Sequence, residues 1–135
     1  MLVGSIEFIE PARSWRKRLG GGMRQIGILA AAGIIALEDG PKLLERDHRN
    51  AKRLAHGLAE IPGISIDPEK VVTNIVIFDV AEAKLSAAEI VAKLREKGVL
   101  AIGFGSQIRM VTHLDVAEAD VDAALSAMKE SVPSA

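Results

Sequence analysis

Hydrophobic and polar residues alternate in three different ways along this chain, and each pattern predicts a different kind of element. From Ile26 to Leu37 every residue is apolar or glycine. A helix that is apolar all round is buried on every side or lies in a membrane. The run is well short of the roughly 20 residues needed to span a bilayer, so a protein interior is expected. Gly27, Ala31 and Gly33 are small and let another backbone approach closely, at a cost in helix propensity. Ahead of this run stand three glycines, Gly20 to Gly22, then Arg24 and Gln25, which read as a charged, mobile loop at the helix entrance. Asp39-Gly40 predicts the end of this central helix, and Pro41 the start of another.

In the second pattern Leu44, His48, Ala51, Leu54, Ala55 and Leu58 recur at helical spacing, predicting a long amphipathic helix over Pro41 to Glu60. Arg46, Arg49, Lys52 and Arg53 lie largely off that stripe, and Pro62-Gly63 ends it. Upstream, Ile6 to Leu19 reads as helix despite Pro11, and Met1 to Ser5 as the tail of a strand. The third pattern is β-branched and short. Ile64–Ile66 is a strand candidate before an Asp67-Pro68 turn, and Val71–Val80 is the clearest strand. Val99–Ile102 and Gln107–Thr112 are expected to flank a turn at Gly103–Ser106. Between them, Ser86 with Glu89 forms a capping-box pattern, with Ala87, Ile90, Val91 and Leu94 on one helical face and Gly98 as the stop. Asp115 with Glu118 repeats the capping pattern before a stripe of Val121, Ala124, Leu125, Met128 and Val132.

From Val71 the order is therefore β-α-β-β-α, an α/β (α+β) arrangement: a small antiparallel or mixed sheet with helices on one face. Residues 41–135 make this small domain, preceded by long helices, and the first 40 residues do not obviously belong to it. A length of 135 residues suits one domain, and 49% hydrophobic content is enough for a core. Charge is nearly balanced, 17 basic against 18 acidic residues, so nothing pulls the chain toward nucleic acid or an anionic membrane. Aromatics at 3% leave few base-stacking platforms, and the lack of cysteine removes disulfides, zinc-thiolate sites and a cysteine nucleophile. The N-terminus has no basic n-region and no long apolar core, so no signal peptide is read and the cytosol is the expected setting.

Few residues offer chemistry. Arg109 emerges between the apolar Ile108 and Met110 and shares its face with Val111. Such an arginine can hold a planar carboxylate through two parallel hydrogen bonds, or pair with a local acid. Arg24 follows the triple glycine near a helix N-terminus, where free N–H groups favour an anion; a structural ion pair is the competing reading. Arg13, Arg16, Lys17 and Arg18 surround Trp15, a cluster that reads first as a solvated face. His113, just before a capped helix, reads as a hydrogen-bonded turn residue rather than a base. His48 and His56 are helical without metal-ligand spacing, Gly103–Gly105 is a hairpin turn before it is a phosphate loop, and no G-x-S-x-G motif occurs.

Two stretches carry a family resemblance. W-R-K-R-L-G-G-G-M-R-Q-I-G-I-L-A-A-A-G-I-I-A-L, from Trp15 to Leu37, and I-R-M-V-T-H-L-D-V, from Ile108 to Val116, resemble low-specificity threonine aldolases in order and spacing. These are pyridoxal-phosphate lyases of the aminotransferase-like superfamily, fold type I. The resemblance implies the C-terminal portion of such an enzyme: 1–40 as a remnant of the large cofactor domain with its central apolar helix, and 41–135 as the small C-terminal domain. It places Arg109 on the arginine that binds the substrate carboxylate, and Arg24, with Lys17 second to it, on the cofactor's phosphate side. It also puts the Schiff-base lysine upstream of Met1, so that this chain lacks the reaction's central group, binds no cofactor covalently and is inactive alone. M-L-V-G-S resembles the strand just after that lysine. The implied partners are an amino-acid substrate and either a missing N-terminal half or further copies of the chain. The alternative is a non-catalytic module that binds an amino acid or a partner subunit.

Overall fold

The computed structural model describes residues 2–132. The chain divides into two units, Met1–Asp39 and Gly40–Ala135.

In the first unit, helix α1 spans Ile6–Arg18. Ser5 caps it, its hydroxyl accepting from the Phe8 N–H at 3.4 Å, and Glu7 at one end with Arg16, Lys17 and Arg18 at the other complement the helix dipole. The helix closes in a Schellman motif: Gly20 takes φ +81° and the N–H groups of Gly20 and Gly21 donate back to Lys17 and Arg16 carbonyls. The expected strand tail at Met1–Ser5 is not found; Leu2–Ser5 have no strand partner, and Met1 lies outside the described residues. A loop through the triple glycine, with Gln25 at φ +47°, leads into α2.

Helix α2 runs unbroken from Gly27 to Ala59, so the expected stop at Asp39-Gly40 is corrected. Pro41 lies inside the helix rather than opening a new one. Proline has no N–H for the Leu37 carbonyl, which weakens the turn without imposing a non-helical φ. Helix formers on both sides carry the helix across.

In the second unit three strands form one antiparallel sheet, β1 (Ile75–Asp79), β2 (Ile102–Phe104) and β3 (Gln107–Val111), in the order β1-β3-β2. Helix α3 (Ala87–Glu96) links β1 to β2, and α4 (Glu118–Ser131) follows β3, giving the β-α-β-β-α order the pattern predicts. Val76 and Phe78 of β1 and Ile108 and Met110 of β3 turn inward. They meet Ala51, Leu54, Ala55 and Leu58 of α2, Ile90 and Leu94 of α3, and Val121 and Met128 of α4 in one core. At Gly103 a Cβ would stand 3.4 Å from the Ala87 carbonyl and from Val91, so glycine lets α3 lie directly on β2.

Boundaries shift where local chemistry outweighs β-propensity. Val71–Val80 pairs only over β1, because Asp67 caps a short 3₁₀ turn at Pro68–Lys70 that runs into Val71. Ile64–Ile66 contributes a single bridge, Ser65 to Asp79. Val99–Ala101 is not strand, since the Val99 N–H donates to the Leu94 carbonyl at 2.9 Å in the Schellman end of α3. The β2–β3 turn narrows to Gly105-Ser106, with Gly105 at φ +60°, the first position of the glycine-led hairpin turn. Ser86 and Glu89 form their capping box as expected. Before α4 the cap moves two residues on: the Asp120 carboxylate accepts from the Ala117 N–H at 2.8 Å, where Asp115 and Glu118 were expected. The stripe on α2 also rotates. Leu44 is exposed and His48 half-buried, while Asp47 and Asn50 are buried.

Candidate functional site

Arg109 occupies the middle of the central strand, opposite Ile77 on β1 and Ile102 on β2. Alternation sends it to the sheet face away from the helices, among Ile75, Ile77, Ile102, Phe104 and Val111, all of which are exposed. Its Nε is enclosed by protein and has no hydrogen-bond partner. Among the described residues no acid pairs with it. A half-buried guanidinium with donors unspent suits a planar oxyanion.

Beside it lies an open surface hollow of about 250 Å³ lined by Leu100, Ala101, Ile102, Arg109, Val111 and His113. His113 behaves as the turn residue its position predicts: its Nδ1 accepts from the Asp115 N–H at 3.3 Å and its carbonyl accepts from the Val116 N–H at 2.8 Å. The Asp115 carboxylate stands 3.6 Å from the same nitrogen.

The polar residues buried on α2 hold this segment. The Thr112 hydroxyl donates to the Asp47 carbonyl at 2.7 Å, Asn50 Nδ2 donates to the Val116 carbonyl at 2.9 Å, and the Arg46 guanidinium donates to the Leu114 carbonyl. From the other side Asn74 Nδ2 donates to the Thr112 carbonyl at 2.8 Å. Hydropathy reading misses Asn50, because its burial answers the Val116 carbonyl more than sixty residues away in sequence; Asp47 is buried too, but it meets Thr112 through its main-chain carbonyl and its Oδ1 has no hydrogen-bond partner. The wall formed by His113 could have been found: 109, 111 and 113 continue one alternation.

Arg24 and Lys17 belong to the first unit and are exposed. Lys17 lays its methylene stem against Gly22, where a Cβ would come within 3.1 Å of its Cδ. Arg24 sits two residues further along the same loop. Next to them the Arg18 guanidinium stacks 5.3 Å above the Trp15 ring.

Three side chains have displaced pKa values, and each has a structural cause. Asp79 is lowered because the Ser106 hydroxyl and the Ala81 N–H both donate to it at 2.7 Å. Glu89 is lowered by its hydrogen bonds to the Ser86 side chain and backbone in the capping box. Arg53 is raised by Asp122 and then Glu118, which tie α2 to α4. None of the three lines the hollow beside Arg109.

The beta-eliminating lyase profile matches residues 1–83. Low-specificity L-threonine aldolase 1 of Arabidopsis thaliana is 41% identical over 134 residues, an alignment covering 98% of this chain and 37% of the relative. The low specificity L-threonine aldolase of Escherichia coli is 42% identical over 116 residues, covering 86% of this chain and 33% of the relative. The chain thus spans about a third of the length of the curated relatives it matches. Among solved structures, the cysteine desulfurase CsdA of Escherichia coli superposes with a TM-score of 0.64 at 19% identity, over 82% of this chain and 31% of that one. A transaminase with L-alanine gives 0.60 at 16% identity, over 90% and 33%. At these identities the two structures speak to the fold alone.

Proposed function

The chain belongs to the beta-eliminating lyase family, and on that premise we propose that it forms the carboxylate-binding part of a threonine aldolase, cleaving β-hydroxy-α-amino acids to glycine and an aldehyde. The observation that carries this reading is Arg109, half-buried on an apolar sheet face with its Nε unpartnered. In it residues 1–40 complete a large cofactor domain, and 41–135 are the small domain that brings Arg109 to the substrate.

Pyridoxal phosphate, when bound, supplies the electron sink for breaking the Cα–Cβ bond. The residues present fit part of that group. Arg24 and Lys17, exposed cations flanking the triple glycine, would hold its phosphate. Every lysine is exposed, whereas one that joins the cofactor covalently is activated by a desolvated setting or a neighbouring cation. In the proposed reading that lysine belongs to a segment outside this sequence, as the family resemblance implies. Arg109 binds and orients the amino-acid carboxylate. In the second reading the same arginine serves a non-catalytic module that binds an amino acid or a partner subunit. A cytosolic setting and a homo-oligomeric state belong to the first reading; a fold without cysteine draws nothing from an oxidising compartment. Among the described residues no helix is long and apolar enough to cross a membrane.

The test is complementation. The chain is produced alone and together with the N-terminal two thirds of a threonine aldolase, and glycine release from threonine is measured. Turnover only in the combined sample is expected. Turnover by the pure chain, with borohydride fixing cofactor at one lysine, would contradict it. A folded complex that binds glycine but never turns over favours the binding module.

A further inference from the structure

We propose that His113 is a second contact for the ligand that Arg109 holds, presenting its Nε2–H to the same hollow. The proposal rests on the reading of Arg109 as a carboxylate clamp and adds a residue to that site. Arg109 and Val111 leave β3 on its open face, and His113, two residues on, lines the hollow with them. The remaining walls are Leu100, Ala101 and Ile102, so Arg109 and His113 are the two side chains there able to hydrogen-bond. At about 250 Å³ the space suits an amino-acid headgroup and is below the range usual for cofactors.

The ring's orientation comes from its other nitrogen. A neutral imidazole that accepts the Asp115 N–H at Nδ1 carries its own proton on Nε2. On protonation Nδ1 gains a proton facing the Asp115 carboxylate 3.6 Å away, and Nε2 keeps its hydrogen. The ring therefore offers a donor at Nε2 in both states. Drift of the segment is opposed by Thr112 and Leu114, each bonded to α2, on either side of the histidine. A carboxylate gripped by the arginine fork still has a lone pair free on each oxygen, and one of these would accept from His113.

The experiment titrates the isotope-labelled 135-residue chain with glycine at constant ionic strength, following Arg109 Nε and the His113 ring by NMR. Both signals are expected to move along one saturation curve. His113→Ala should raise the glycine Kd by roughly 10-fold or more, the loss of one hydrogen bond to a charged acceptor. His113→Gln, which keeps an N–H near the Nε2 position, should recover most of it. The side chain is 57% exposed, so both variants should retain a native amide spectrum. Arg109→Ala should abolish saturation. If Arg109→Ala abolishes binding while His113→Ala leaves the Kd unchanged, the His113 contact is wrong and the clamp stands. If glycine moves neither signal, or Arg109→Ala leaves the Kd unchanged, the clamp fails and the His113 contact with it.

Discussion

At the scale of single residues, an arginine with an enclosed, unpaired Nε has more to lose by truncation than one in water. A charge-assisted contact of this kind contributes about 1.5–3 kcal/mol net, so removing the fork should weaken carboxylate binding by roughly 10- to 150-fold. In a complemented enzyme Arg109→Ala is expected to raise the threonine KM by that factor with cofactor binding intact, and Arg109→Lys to recover little, since an ammonium cannot reproduce the planar fork. A purely structural arginine would instead lower the Tm and leave the KM of the folded fraction unchanged. Asp79 makes the contrasting case of a carboxylate with a structural task. Its pKa is lowered by Ser106 and Ala81, so the stability it contributes is present above the unfolded value of about 3.9 and is lost as pH falls through the folded one. Asp79→Asn should therefore lower the Tm at pH 7 and lower it much less at pH 3; an equal deficit at both would mean that the charge of Asp79 is irrelevant. The outward position of Arg109 was legible in sequence, because alternation along a strand needs only its register. The burial of Asn50 was not, because nothing in a helix stripe announces that a distant loop will bring it a carbonyl to satisfy.

At the scale of elements, the signals that could be read were those settled within a few residues. Ser86 with Glu89 and the Gly98 stop appear as expected because caps are made of neighbouring atoms. The helix boundary at Asp39-Gly40-Pro41 was misread for the complementary reason: proline weakens a turn, but whether the helix continues depends on what lies on both sides. Pro41→Ala gives the Leu37 carbonyl a donor, and hydrogen exchange should show added protection over residues 41–45; unchanged exchange would mean that this turn is already frayed. Packing between helices gives a second forecast. At Gly57 of α2 a Cβ would fall 2.5 and 2.6 Å from the two Cδ atoms of Leu125 on α4. Gly57→Ala alone gains about 1 kcal/mol of helix propensity and meets an overpacking cost of about 1–3 kcal/mol. With Leu125→Ala in place the obstruction is gone, and the same substitution should stabilise by about 1 kcal/mol. Denaturant unfolding of the four proteins in this cycle should give a coupling of the order of 1–3 kcal/mol, and strict additivity would mean that Leu125 moves aside freely.

For the whole molecule, what matters is where burial stops. Every core residue lies at Ala51 or beyond, and no described residue of the first unit is buried. Yet the first unit holds the most uniformly apolar run in the sequence, where Ile28 is 80% and Ile35 61% exposed. Gly33 points the same way. A glycine inside a helix costs about 1 kcal/mol relative to alanine, and a Cβ there would meet nothing within 4 Å, so nothing in this chain requires its smallness. Such a surface is uncommon on monomers and is expected to be covered by another polypeptide. For the chain by itself that polypeptide is a second copy, so it should sediment at micromolar concentration as a dimer or larger species. Ile28 and Ile35 are seven residues apart and share a helix face. Ile28→Glu combined with Ile35→Glu should shift the population to monomer while leaving a cooperatively folded core, because that core is elsewhere. A fragment spanning residues 40–135 carries that whole core, so it should unfold cooperatively, and it should associate less than the full chain. A well-behaved monomer of the full chain would mean that this surface does not self-associate, and a fragment that associates as strongly would place the contact outside α1 and the start of α2.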